Sequence, residues 1–245
     1  MTTDATATVV VTGAAGGIGR VVAERLTDDG YQVVALDRHG SDRVRAFDVT
    51  DERQWRELAA TLDAPVHGLV NCAGITRRAR LGEVTVADMT DTYAVNVLAP
   101  LLAIQALTPL MSAGSAIVNI GSIAALTGHY PVAYTTSKWA LRGLTHTAAL
   151  GLGERGIRIN IVHPGFIDTP MTESAPGPFR SASIGETALA RAGTAAEVAG
   201  AVAFLLGPDS TYMTGGEITV DGGASSHGGV KSISDALRPE PQEHR

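Results

Sequence analysis

Val9-Val10-Val11-Thr12-Gly13-Ala14-Ala15-Gly16-Gly17-Ile18-Gly19 decides the fold of this chain. A β-branched run cut off by glycines, with Val21, Val22 and Leu26 following at helical spacing, reads as strand, tight turn and helix. Glycines let the backbone approach a pyrophosphate, and the helix N-terminus meets it with unpaired N–H groups and the favourable end of its dipole. Gly13, Gly17 and Gly19 fit one dinucleotide spacing, and Gly13, Gly16 and Gly19 fit another. Such a turn also occurs as a plain strand-to-helix connection.

Three features further along the chain give the turn a chemical context. Asp37 ends the next apolar run, Val33-Val34-Ala35-Leu36, 18 residues beyond Gly19. An acid at that interval accepts hydrogen bonds from an adenosine ribose and repels a 2′-phosphate, which favours NAD over NADP, although Arg38 follows at once. Ser122 stands at the end of the strand Ala116-Ile117-Val118, where side chains of a parallel sheet line the ligand crevice. It can equally be a helix cap. Tyr134 and Lys138 lie four residues apart on one helix face. A fixed ammonium stabilises a phenolate and draws its pKa toward working pH, which can make the pair an acid-base catalyst; taken alone, the pair reads first as a core tyrosine beside a solvated lysine.

With these in order the chain resembles the short-chain dehydrogenase/reductases, over nearly its whole length. The resemblance rests on the Thr12 to Gly19 turn, Asp48-Val49, Asn71-Cys72-Ala73-Gly74, Asn96 in Val95-Asn96-Val97, Ser122, Tyr134 to Lys138, His163-Pro164-Gly165 and Val220-Asp221-Gly222-Gly223. Ser137-Lys138-Trp139, Arg142-Gly143-Leu144 and Thr169-Pro170-Met171-Thr172 look most like the bacterial 3α,20β-hydroxysteroid dehydrogenases. The resemblance settles the glycine spacing and implies a single Rossmann-type α/β domain with a doubly wound parallel sheet. It implies a catalytic set of Asn96, Ser122, Tyr134 and Lys138, with Asn96 holding a water that links Lys138 to solvent. It also implies an NAD site of Gly13, Gly17, Ile18, Gly19, Asp37, Asp48, Val49, Cys72, Ala73, Gly74, Tyr134, Lys138, Pro164, Gly165, Ile167 and Thr169, acting on a secondary alcohol or ketone such as a steroid. The chain departs from the family pattern at Cys72, where Asn is usual, in the short interval from Asp37 to Asp48, and in a Ser122 to Tyr134 spacing one residue short. The second should be a short exposed loop that opens the adenine pocket; the third should reshape the substrate mouth at Gly128-His129-Tyr130-Pro131. Alternative readings are a 3-oxoacyl-carrier-protein type reductase, or a nucleotide-sensing protein that kept the fold without catalysis.

Bulk properties fit one domain. A length of 245 with 44% hydrophobic residues supports a single large core, and a net charge of −6 argues against nucleic acid as a partner. One cysteine excludes an intrachain disulfide, no apolar run approaches the ~20 residues that span a bilayer, and Met1-Thr2-Thr3-Asp4 opens no signal sequence, so a cytoplasmic protein is expected. The seven histidines are scattered, with no metal-ligand spacing, and Arg77-Arg78-Ala79-Arg80 reads as a solvated turn.

Strands are expected near 8–12, 32–36, 66–71, 115–120, 157–162 and 217–220, and helices near 18–29, 51–61, 86–111, 132–153 and 195–206, with the fourth segment kinked or broken at Pro100 and Pro109. The domain should span 1–223, with a substrate lid at about 170–193 that is not regular throughout, followed by a polar tail at 224–245, disordered or lying across a neighbouring subunit. The resemblance further implies a homotetramer, with a dimer as the fallback, and the apolar helical stretches at 98–110 and 139–150 are compatible with it.

Overall fold

Thr8–Thr12 forms the buried strand β1, and its alternation divides the core. Val9 and Val11 face one side of the sheet and Val10 the other, as the two-residue period of a strand requires. In the computed structural model, which describes residues 7–62 and 65–238, seven parallel strands lie in the order β3-β2-β1-β4-β5-β6-β7. They are β1, β2 (Gln32–Asp37), β3 (Arg45–Ala46), β4 (Val66–Asn71), β5 (Ala116–Ile120), β6 (Arg158–Pro164) and β7 (Glu217–Val220). The order reverses between β1 and β4, and a crevice opens at the carboxyl ends of strands on either side of such a reversal.

Helices cover both faces. Behind β1 they run α1 (Gly17–Asp28), α2 (Glu52–Thr61), α3 (Val86–Tyr93), α4 (Ala99–Leu107) and α5 (Val132–Gly153). Next come α6 (Pro170–Glu173), α7 (Gly177–Gly185), α8 (Ala195–Leu206) and α9 (Lys231–Ala236). Val22 and Leu26 of α1 meet Val198, Val202 and Leu205 of α8 over Val9 and Val11. On the opposite face Trp55 of α2, Ala103 and Leu107 of α4 and Ile117 of β5 pack on Val10. Asp51 caps α2 by accepting from Arg53 N at 2.9 Å and Gln54 N at 3.3 Å, and α8 opens with a Thr194/Glu197 capping box.

Four expectations need correction. The interval from Asp37 to Asp48 is exposed but is more than a loop: β3 pairs Leu36 with Arg45 and Asp37 with Ala46, after a turn bridged between Ser41 and Val44. A two-residue edge strand is specified by its partner, and no periodicity can announce it. Second, an apolar helical run long enough for a bilayer does exist, Val86–Leu110, 25 residues. It holds together because residues Ala94–Leu98 form a π-helical turn between α3 and α4, and Pro109 ends it in a 3₁₀ turn. Ala103, Ile104 and Leu107 bury in the sheet core, so it is a core helix of this fold. Third, the tail carries regular structure as far as Arg238, containing α9, with His227 Nε2 2.8 Å from the Glu186 carbonyl, while its residues 239–245 lie outside the described residues. Last, the arginine turn is solvent-exposed at Arg80 but also engaged within the chain, with Arg77 paired to Asp88 and Asp91, Arg78 donating to Met171 O at 2.9 Å, and Arg80 over the Tyr130 ring at 4.7 Å.

The segment expected to be a lid is an excursion whose ends meet. Ile167 and Gly193 form a bridge, with Asp168 N donating to Gly193 O and Gly193 N to Phe166 O, both at 2.9 Å. Between them stand the short helices α6 and α7 and an irregular return, consistent with a segment not regular throughout.

Candidate active site

Gly13, at φ +71°, turns the chain so tightly that a Cβ there would lie 2.9 Å from Ala73 Cα. At Gly19 a Cβ would lie 2.1 Å from the Gly13 carbonyl oxygen, so only glycine lets α1 begin against the end of β1. Gly16 is the N-cap of α1, where no side chain accepts from the first-turn N–H groups. Thr12 Oγ1 accepts from Cys72 N at 3.0 Å and Ala73 N at 3.1 Å, clamping the glycine turn to the segment after β4. Asp37 stands beside the turn, accepting from Ala15 N at 3.1 Å and His39 N at 3.0 Å.

These groups line one cleft of about 520 Å³ at the carboxyl ends of the strands. Every residue expected at the nucleotide lines it: Gly13, Gly17, Ile18, Gly19, Asp37, Asp48, Val49, Cys72, Ala73, Gly74, Tyr134, Lys138, Pro164, Gly165, Ile167 and Thr169. Arg38 and His39 stand exposed next to Asp37, while Ile75, Ile167, Pro170 and Met171 give the lid end an apolar wall. A narrow groove closed by close-packed glycines, an uncapped helix N-terminus and a carboxylate at its far end fits a dinucleotide. Burial pushes the Cys72 thiol up to about 12, so at neutral pH it stays protonated.

Ser122, Tyr134 and Lys138 meet on the cleft floor. Ser122 caps the 3₁₀ turn Ile123–Ala125 by accepting from Ala124 N at 3.1 Å, and its own O–H is directed at the Tyr134 phenol. It is therefore both cap and cleft residue. Lys138, only 5% exposed, donates to Ile120 O at 2.8 Å, its Nζ 5.7 Å from the Tyr134 ring centre. Burial pulls the Lys138 ammonium down to about 8, against the pull of Cys72. Burial likewise raises the Tyr134 phenol, opposed by its hydrogen bond with Ser122, so the lowering expected from Lys138 is not the dominant influence on this phenol.

Asn96 stands behind the wall. Its side-chain amide is fully engaged, accepting from Ile75 N at 2.9 Å and donating to Ile75 O and Ser137 Oγ, both at 3.0 Å. Pro100, four residues on, has no N–H, so the Asn96 backbone carbonyl lacks its usual helical donor.

The sequence reading did not single out three parts of this region: the Thr12 clamp, the His163 contact behind Ser122, and the ring cluster at the mouth. Phe179 of α7 meets His129, Tyr130 and Phe166, each with ring centres 6.0 Å apart. Among the described residues no group of His, Cys, Asp and Glu is placed to hold a metal ion.

Residues 13–225 match the protein family described as Enoyl-(Acyl carrier protein) reductase. The chain is 35% identical over 230 residues to a 3-alpha-(or 20-beta)-hydroxysteroid dehydrogenase of Mycobacterium tuberculosis, covering 90% of this chain and 86% of that one. It is 37% identical over 247 residues to a (3R)-3-hydroxyacyl-CoA dehydrogenase of Mus musculus, covering 89% and 95%. Among solved structures it resembles a putative 2-deoxy-D-gluconate 3-dehydrogenase from Agrobacterium tumefaciens with bound NADP, at a TM-score of 0.83, 29% identity and coverage of 90% and 96%.

Proposed function

The chain belongs to the short-chain dehydrogenase/reductase family, and on that premise we propose that it interconverts a secondary alcohol and a ketone with NAD(H). Its relatives are oxidoreductases acting on CH–OH groups of small molecules, and the fold binds a nicotinamide cofactor. The observation that carries the proposal is the convergence of Ser122, Tyr134 and Lys138 on the floor of the cleft that holds the glycine turn and Asp37.

Bound nicotinamide would supply or take up the hydride, and this chain's residues would manage the oxygen. Tyr134 Oη exchanges a proton with the substrate oxygen, and the Ser122 O–H, turned from the phenol to that oxygen, donates to it as charge develops. Lys138, fixed by Ile120 O, places a positive charge beside the phenol and within reach of the nicotinamide ribose. A water on the Asn96 carbonyl would let protons pass from Lys138 to solvent. The glycine turn and the N-terminus of α1 hold the pyrophosphate, and Asp37 holds the adenosine ribose. Cys72 to Gly74 and Pro164 to Thr169 form the walls.

The apolar wall of Ile75, Ile167, Pro170 and Met171 favours a hydrophobic substrate, and the mycobacterial relative's name suggests a steroid. An acyl thioester is the second reading, favoured by the family description and the murine relative. Arg77, Arg78 and Arg80 are all spent within the chain, which counts against a phosphate-bearing carrier at that side of the mouth.

Steady-state turnover of steroids, simple secondary alcohols and 3-hydroxyacyl thioesters with each cofactor tests this reading. A carboxylate facing a 2′-phosphate costs several kcal/mol, so kcat/KM for NAD should exceed that for NADP by about 10-fold or more. Asp37→Ala should narrow the gap. Equal or better efficiency with NADP in the unmutated protein defeats the cofactor assignment, and no turnover of any alcohol or ketone defeats the function.

A further inference from the structure

Behind Ser122, on the side away from the cleft, lies a histidine with no solvent exposure. His163, in β6, points its ring at the Ser122 peptide, with Nδ1 at 2.9 Å from Ser122 O and 3.3 Å from Ser122 N. The ring reaches because residue 121 is glycine; a Cβ there would lie 2.5 Å from His163 Nδ1. The other ring nitrogen, Nε2, lies 2.9 Å from Glu217 Oε2 on the neighbouring strand β7. Glu217 is gripped in turn by Arg142 Nε at 2.8 Å and His146 Nε2 at 2.9 Å, both on α5, the helix that carries Tyr134 and Lys138.

The chemistry of this chain of contacts is fixed by Glu217. Burial raises its carboxyl, but Arg142, His146 and His163 outweigh that and hold it below the usual range, so it is an anion and only accepts. Nε2 must therefore carry hydrogen. In the neutral ring Nδ1 is then a bare acceptor for the Ser122 N–H; in the charged ring it is a donor to the Ser122 carbonyl. Either form ties the Ser122 peptide to β7. The titratable and charged groups around the ring are Glu217 from β7, Arg142 and His146 from α5, and Tyr134 and Lys138 across Ser122.

We propose that His163, its tautomer set by Glu217, is a positioning residue that fixes the Ser122 peptide and so the place of the Ser122 hydroxyl on the cleft floor. The idea rests on Ser122 being catalytic, as argued above. His163 touches neither substrate nor cofactor and acts only through Ser122.

Two substitutions separate its two ends. The amide of His163→Gln reaches toward Glu217 and abandons Ser122, whereas the amide of His163→Asn stands near the Nδ1 position and keeps the Ser122 contact while abandoning Glu217. H163Q should lower kcat by about 10-fold with the nucleotide KM unchanged, and H163N should rescue most of that loss, even if it melts lower. Combined with Ser122→Ala, H163Q should cost nothing further, because residues acting through one another are non-additive. Should H163Q fail to fold, as judged by nucleotide binding, Glu217→Ala loosens the ring from its partly exposed end and should lower kcat by roughly threefold, again with no added cost in the S122A background. Full kcat in the folded glutamine or alanine variant, or losses that multiply with S122A, overturns the proposal. If S122A itself retains parental activity, it is the catalytic reading of Ser122 that fails, and the two failures are thereby told apart.

Discussion

Tyr134 and Lys138 lie one turn apart on α5, half-buried and buried respectively, and burial opposes the charged form of each. Tyr134→Phe keeps the ring and removes the hydroxyl; folding and nucleotide binding should persist while kcat falls by about 10²-fold or more, the scale of positioned acid-base catalysis. Activity within threefold of the parent in steady-state assays would mean the assignment is wrong. Lys138 makes a separate claim about stability. Its folded pKa of about 8 lies below that of an unfolded lysine, so above pH 8 the folded protein sheds a proton the unfolded chain keeps, and the parent gains stability as pH rises toward the usual lysine range. Below pH 8 both states are charged and the burial cost is carried in full. Lys138→Met should therefore abolish turnover yet stabilise the nucleotide-free protein at pH 7, by about 1 to 3 kcal/mol, with the advantage shrinking between pH 8 and 10. Melting curves across that range check it, and a variant less stable than the parent at pH 7 sinks it. These residues were legible because each sits in a short local pattern. His163 and Glu217 were not, since they stand 54 residues apart and only the parallel pairing of β6 with β7 brings them together.

At the scale of elements, legibility followed local signals. Helix α5 was placed at both ends, after Pro131, and α8 behind the Thr194 to Glu197 box, because Pro and capping residues mark helix starts in the sequence itself. The parts that escaped depend on partners. β3 exists only through β2, the π-helical turn resolves the missing Pro100 N–H in a way that no propensity encodes, and α9 carries little apolar pattern beyond a Lys231 to Asp235 pair. The lid lies between these cases: its proline and glycine content announced interrupted structure, but not that Phe179 would reach three rings. Aromatic pairs of this kind are worth about 0.5–1.5 kcal/mol each. Phe179 joins α7 to the His129-Tyr130 loop that leads directly into the Tyr134 helix, and we expect it to latch a lid on the substrate side. Phe179→Ala should raise the substrate KM by roughly 5- to 10-fold and leave the nucleotide KM within about twofold. An equal rise in both constants would place Phe179 in general stability rather than in a latch.

The whole molecule raises a question that one chain leaves open: what covers the outer sides of α4 and α5. Their inner faces bury Ala103, Ile104, Leu107 and Leu141, yet Trp139 is 44% exposed and Leu150 79% exposed. Those two stand eleven residues apart, which at 3.6 residues per turn puts them on the same side of α5, and Leu98 beside α4 is 52% exposed. Large apolar groups in a row on helices already apolar inside are the kind of surface another protein surface would cover. The same side of α5 carries Arg142 and His146, which grip Glu217. Closed point-group symmetry is the usual way for one chain to satisfy such a patch, and with two long helices available per chain we expect four copies of the 25.3 kDa chain, related by perpendicular two-folds, with a dimer as the smaller alternative. Leu150→Glu lies far from the cleft and alters no group in it. It should split the assembly, and activity should fall together with assembly, because the exposed α5 can no longer hold Tyr134 and Lys138 in register. Light scattering and turnover measured on the same samples give the answer: a monomer of the parent chain, fully active at micromolar concentration, would show that the stripe is ordinary surface and that the site needs no neighbour.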